Sequence, residues 1–257
     1  MTGLGRGMTG RRVGAVLALI LFVAGCRAPV RRPPIPHEPT IADRVAQYGP
    51  VARARLAPYF AAARVPYPPD RFVLVGFKRE RELDLFAAGP GRPLAFLRSY
   101  PIWGASGVLG PKLRGGDRQV PEGIYGIEYL NPNSVAHLSL ALTYPNDYDR
   151  ARAEEDGRED LGGNIMIHGG SGSIGCLAVG DQAAEDLFIL AADSGFQRAV
   201  VVVSPVDFRR TVLPPDYRPS ADWVDDLYRS IRSELAILPL GSPTASSAAA
   251  LDVPRAP

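Results

Sequence analysis

Hydrophobic positions change their spacing near residue 70. Upstream, Thr40 is placed to cap a short helix that breaks at Gly49-Pro50, and residues 51–64 predict a second helix stopped by Pro66, Pro68 and Pro69. From Phe72 onward the apolar residues come in short runs, at 72–77, 83–86, 94–102, 124–129, 137–144, 165–167 and 199–203. Turn clusters such as Gly89-Pro90-Gly91 and Asn131-Pro132-Asn133 separate them, so they predict strands. Two helical periods follow. Asp181 is placed to cap a helix whose apolar face is Ala184, Leu187, Phe188 and Ala191, closed by Gly195. Beyond Ser220, a second stripe runs through Trp223, Leu227, Ile231 and Leu235. Both stripes read as core packing. The expected class is α+β and sheet-rich, with flanking helices.

Two polar stretches stand outside this pattern. The charged run 147–160 reads as a solvated loop, with a substrate-facing lid as the alternative. Residues 239–257, rich in Pro, Ser and Ala, read as a disordered tail.

The N-terminus has a different logic. Arg11-Arg12 precede an uncharged run over 13–25 that ends in Val23-Ala24-Gly25-Cys26. A basic start, a short apolar stretch and small residues form an export signal, and this run is shorter than the roughly 20 residues of a permanent span. The ending resembles a bacterial lipobox, in which Cys26 carries the lipid and becomes the new N-terminus. An ordinary signal peptide with an incidental cysteine is the alternative. Residues 26–39 form a Pro/Arg-rich linker. Arg27 is not the aspartate that retains such lipoproteins in an inner membrane, so an outer membrane is favoured in a cell with two.

Composition matters once it is divided at Cys26. The 257 residues are 46% hydrophobic, enough for one sizeable folded domain. The formal net charge is +2, and removing Arg6, Arg11 and Arg12 with the signal lowers it by three, to −1. The net positive charge therefore belongs to the export segment, and nothing points to a nucleic-acid partner. Of two cysteines, a lipidated Cys26 leaves Cys176 unpaired: an intermolecular disulfide, an inert buried residue or a nucleophile.

The segment 165–176 places a strand ahead of His168, then a Gly/Ser-rich loop, then Cys176. Glycines let successive N–H groups converge on one point, as an oxyanion site needs, and an imidazole can generate the thiolate that attacks. The pair has the chemistry for acyl transfer. A zinc site of His168, Cys176, Asp181 and His137 is a weaker alternative, since no close ligand spacing is present. His37 falls in the linker and reads as inert; His137 reads as a packed or edge histidine at a strand start. Tyr100, Trp103 and Tyr125 read as core, with a cleft lining as the alternative.

These residues, with several ordered motifs around them, resemble the L,D-transpeptidase catalytic domain (the YkuD-type family), and within it the YafK-like murein branch. Besides His168-Gly169 and Ser173-Ile174-Gly175-Cys176, the resemblance rests on Gly110-Pro111-Lys112, Gly116-Asp117, Pro121-Glu122-Gly123-Ile124-Tyr125, and the stretches 78–85, 137–148 and 203–208. It implies a sandwich-like catalytic domain over 70–210, between a helical lead-in at 40–69 and a C-terminal helical segment at 211–238. It further implies that Cys176 is the acyl-accepting nucleophile and His168 its base. Gly175 and the backbone around Cys176 would form the oxyanion site, with Ser173 and Gly169 supporting the loop. The substrate would be a peptidoglycan stem peptide, with no cofactor and no metal.

The sequence departs from the main branch in three places. Ile174 replaces the histidine of S-H-G-C, the spacer from His168 to Cys176 is short, and Ala178 stands where an arginine is usual. The YafK-like branch also includes enzymes that cleave existing linkages. Two alternatives stay open: a murein hydrolase or amidase with water as acceptor, and a non-catalytic wall-binding lipoprotein.

Overall fold

A computed structural model describes residues 38–241. The expected export segment, Cys26, His37, the expected linker up to residue 37 and the expected tail from residue 242 lie outside the described residues. Thr40 does cap the first helix, through a reciprocal capping box with Asp43, but the helix does not break at Gly49-Pro50. α1 runs from Ile41 to Ala63 with Pro50 and Pro58 inside it. A proline removes one N–H and frees the carbonyl four residues back. Those carbonyls belong to Ala46 and Ala54, both solvent-exposed, where water can take the lost bond. The opposite face buries Ala52, Leu56 and Phe60. Ion pairs to distant residues, Arg53–Asp193 at 2.8 Å and Arg55–Asp186 at 2.7 Å, then hold the helix on one line.

Among the described residues, ten strands form two five-stranded sheets. The first has the order β3 (Ala95–Pro101), β2 (Glu82–Ala88), β1 (Arg71–Phe77), β10 (Ala199–Ser204), β5 (Gly123–Tyr125). The second has the order β4 (Gly104–Ala105), β9 (Leu177–Ala178), β8 (Met166–His168), β7 (Ser139–Leu142), β6 (Ile127–Asn131). Neighbours are antiparallel except β1 with β10 and β8 with β9. The expected strand over 124–129 is in fact two strands. It divides at Gly126, whose N–H donates to Thr143 Oγ1 at 2.8 Å, and the chain crosses from one sheet to the other there.

The near-continuous apolar run of β1 follows from burial on both faces. Phe72 and Leu74 face the core between the sheets, with Leu140, Ile167 and Leu177. Val73, Val75 and Phe77 face α4 (Val224–Ala236), which lays Leu227, Tyr228, Ile231 and Leu235 against them. The other long helix, α3 (Asp181–Ser194), packs on α1 and on the second sheet and ends at Gly195. Its cap position is Gly180, and Asp181 is its first residue.

The run 147–160, expected as a loop, begins with a helix, α2 (Asp147–Glu155). An Asn146/Asp149 capping box starts it, and only Ala153 is buried, so it lacks the apolar period that marks helices in sequence. Within the expected tail, residues 239–241 run against the domain, and Gly241 is buried with its carbonyl accepting from Arg210.

Candidate functional site

β8 ends at His168 and the chain turns back through Gly169–Gly175 to reach Cys176 and β9. In the parallel pairing, Ile167 lies opposite Leu177 and His168 opposite Ala178. Ile167 and Leu177 point into the core, so the alternate residues, Met166, His168, Ala178 and Cys176, follow the other face. The fold thereby puts His168, at the end of β8, and Cys176, immediately before β9, on the same face of the strand pair. The eight-residue separation is closed by the loop.

Four loop residues have an identifiable job: Gly169, Gly170, Ser173 and Gly175. At Gly169 an added Cβ would come 2.5 Å from Asp181 Oδ1 and 2.8 Å from the Ala136 carbonyl, so only glycine fits. Gly170 N–H donates to Asp181 Oδ1 at 2.8 Å, which fastens the loop to the start of α3. Ser173 Oγ donates to the Cys176 carbonyl at 2.7 Å and accepts N–H bonds from Ser106 at 3.1 Å and Gly175 at 3.3 Å. Gly175 adopts φ +126°, a conformation that side chains rarely tolerate. Ile174 projects into solvent, 78% exposed.

His168 is buried, and its Nδ1 lies 2.6 Å from the Gly169 carbonyl. A carbonyl only accepts, so Nδ1 carries the proton and the lone pair is on Nε2. Cys176 Sγ lies 3.6 Å from the Asn164 carbonyl. Burial pushes the thiol above its ordinary range, more than the Met166 N–H and the Lys112 charge pull it down. The resting group is a neutral thiol.

Lys112 and Asp117 form a second tier that the sequence marked only as motif letters. Lys112 Nζ is buried, pairs with Asp117 and donates to the Arg114 carbonyl at 2.7 Å. Burial raises the Asp117 carboxyl, but Lys112 and the Gln119 and Arg114 amides outweigh it and hold it below the usual carboxylate range. Behind them, Lys78 Nζ meets Glu122 Oε1 at 2.9 Å, and Tyr228 of α4 donates to Glu122 Oε2 at 2.6 Å. Glu122 also accepts the Gly110 N–H at 2.7 Å, so this buried carboxylate joins the two ends of the 110–122 segment. A cleft of about 550 Å³ opens beside it, lined by Leu113, Arg114, Asp117, Gln119 and Arg158.

The remaining candidates separate. His137 has φ +72°, precedes β7, and is held by Glu185 at 3.1 Å and edge-on against Tyr48. Tyr125 is buried and donates to the Glu122 carbonyl. Tyr100 is buried with its hydroxyl on Asp186, whereas Trp103 is 56% exposed.

The YkuD family, described as the L,D-transpeptidase catalytic domain, matches residues 72–206. "Putative L,D-transpeptidase YafK" of Escherichia coli (strain K12) is 39% identical over 138 residues, covering 52% of this chain and 53% of that protein. The chain thus spans about half the length of the curated relatives it matches. Among solved structures, the helical cell shape determining protein Pgp2 from Campylobacter jejuni is 22% identical with a TM-score of 0.43, covering 53% of this chain and 48% of that one. Mycobacterium tuberculosis L,D-transpeptidase 1 is 15% identical with a TM-score of 0.31, covering 52% and 62%. Helices α1 and α4 lie outside the matched region.

Proposed function

The chain belongs to the L,D-transpeptidase catalytic-domain family, and on that premise we propose that it is a cell-wall transpeptidase working through a Cys176 acyl-enzyme. The observation that carries this reading is the placement of His168 and Cys176 on one face of adjacent strands, with the His168 lone pair on Nε2. A stem peptide enters the cleft beside Lys112–Asp117, where Arg114 and Arg158 meet its carboxylates. Nε2 takes the thiol proton as sulfur attacks the scissile carbonyl carbon. The Cys176 N–H stabilises the oxyanion, because the Gly175 N–H is already taken by Ser173. Collapse breaks the amide bond, His168 protonates the leaving amine of the terminal residue, and a thioester remains. An amine acceptor then attacks the thioester, gives its proton to Nε2, and the thiol is restored.

Acceptor choice is the point on which a second reading differs. Ile174 stands exposed beside the thiol where the main branch has a histidine, and water in place of the amine makes the protein a murein hydrolase. Incubation with defined muropeptides, with and without an added amine, separates the two. Transpeptidation gives amine-linked product and exchange of the terminal residue; hydrolysis gives trimmed peptide at the same rate in both. Neither product in wild type, with wall binding unchanged in Cys176→Ala, would leave a binding lipoprotein.

Export and lipid attachment at Cys26 are part of the proposal, resting on the run that ends at Val23-Ala24-Gly25-Cys26. Metabolic palmitate labelling that disappears in Cys26→Ala tests it. No helix among the described residues is long and apolar enough to cross a membrane.

A further inference from the structure

A cleft of about 670 Å³ lies between α1, the end of β3 and the start of α3. It is within the size range of small-ligand sites, and one wall is α1, outside the region matched by the family. Its charged lining residues are Arg55, Arg98, Asp181 and Asp186, two of each sign. Three of them are spent on one another and the fourth on a backbone amide. Arg55 meets Asp186 at 2.7 Å, Arg98 meets Asp186 at 3.5 Å, and Asp181 accepts from Gly170. A free anion finds Asp181 at the head of α3, and a free cation finds two arginines. The chemistry favours a neutral, hydroxyl-rich ligand.

Aromatic surface sets its shape. The Arg98 guanidinium is stacked between Tyr59 and Tyr100, 4.4 and 4.1 Å from the ring centroids, and its Nε is buried with no hydrogen-bond partner. Trp103 stands exposed at the cleft edge and rests against Gly180, where an added Cβ would come 3.1 Å from Nε1. Its backbone N–H donates to the carbonyl of Ala178, two residues past the nucleophile. At about 3.3 Å per strand residue, that is roughly 7 Å along the chain.

We propose that this cleft binds a pyranose ring of the peptidoglycan glycan strand. The CH face of the sugar packs on the Trp103 indole, and hydroxyl or acetamido groups reach the exposed Gln182 amide and the Asp181 carboxylate. The inference rests on the murein reading above. Stem peptides carry carboxylates, whereas the β-1,4-linked N-acetylhexosamine backbone is neutral where its lactyl groups are amide-linked. The glycan is the part of the substrate that suits an uncharged cleft.

The test is calorimetric titration of N-acetylglucosamine tetraose into the Cys176→Ala protein, which needs no working nucleophile. Saturable binding is expected, at least tenfold weaker in Trp103→Ala and in Gln182→Ala and unchanged in Trp223→Phe. In the background with intact Cys176, Trp103→Ala is expected to keep the wild-type rate of acylation by a carbapenem, which reports the thiol alone. No saturable binding of the tetraose, binding equal in Trp103→Ala, or loss of acylation together with sugar binding in that variant would overturn the proposal. Absence of a Cys176 adduct in every protein, with sugar binding intact, would instead overturn the acyl-enzyme reading.

Discussion

Ser173 Oγ donates to the carbonyl of Cys176 at 2.7 Å while the amides of Ser106 and Gly175 converge on the same oxygen. One hydroxyl therefore fixes the backbone on both sides of the thiol and ties the loop to the segment after β4. Ser173→Ala leaves these groups unpaired, and each unsatisfied buried group costs about 1–3 kcal/mol. Reduced denaturant stability and slower acylation of Cys176 by a carbapenem are expected together. Wild-type values for both in the variant would deny Ser173 its role in holding the loop.

The neutral thiol makes His168 matter most near neutral pH. Burial pushes the Cys176 thiol up, so alkylation by iodoacetamide is expected to titrate above the free-thiol value of about 8.5. His168→Gln should slow acylation at pH 7 by about 10²–10⁴-fold, the usual contribution of a positioned base. The deficit should shrink as pH rises through the thiol pKa, where thiolate forms without help. Rates measured from pH 6 to 10 check this; a constant deficit, or a thiol titrating below 8.5, contradicts it.

The Lys78–Glu122–Tyr228 cluster predicts an asymmetry between breaking and replacing a buried pair. Lys78 and Glu122 are almost wholly buried, and burial pulls the lysine below its ordinary range against the raising effect of Glu122. Lys78→Met strands the carboxylate and should cost about 3–5 kcal/mol, whereas Lys78→Met with Glu122→Leu should recover much of that loss. Tyr228→Phe removes one donor and should cost less than Lys78→Met. Urea denaturation of the set checks the order.

Asp84 supplies a pH dependence of stability. Burial pushes its carboxyl up to about 6, against a hydrogen bond from Ser99 that lowers it. A folded pKa above the unfolded value of about 3.9 means the native state holds a proton that the unfolded chain releases. The contribution is fully present below pH 3.9 and lost as pH rises through 6, to a total of up to about 3 kcal/mol at 1.36 kcal/mol per pKa unit. Asp84→Asn should flatten that fall. Denaturation midpoints at pH 4.5 and 7.5 that change in parallel for both proteins would contradict it.

Much of the sheet was legible because its signal is local. The runs 72–77, 83–86, 94–102 and 199–203 carry their strands in their own composition, and the glycine-rich loop between His168 and Cys176 declares its geometry. What was hidden depends on distant partners. α1 runs on through Pro50 with Ala52, Leu56 and Phe60 in the core and Arg53 and Arg55 on Asp193 and Asp186, partners more than 130 residues away. β4 and β9 are two residues each, too short for any period, yet they set the register beside Cys176. Tyr228 reaches Glu122 from a helix whose pattern advertised only core packing. α2 rests on its Asn146/Asp149 caps, a signal that a run of charges obscures.

Acylation of Cys176 is read by intact-mass spectrometry after exposure to a carbapenem. The strained amide of the drug acylates nucleophilic thiols without needing the natural acceptor. One added drug mass is expected on wild type, mapped to the peptide containing Cys176, and none on Cys176→Ala. No adduct on folded wild type, or an equal adduct on Cys176→Ala, would contradict it.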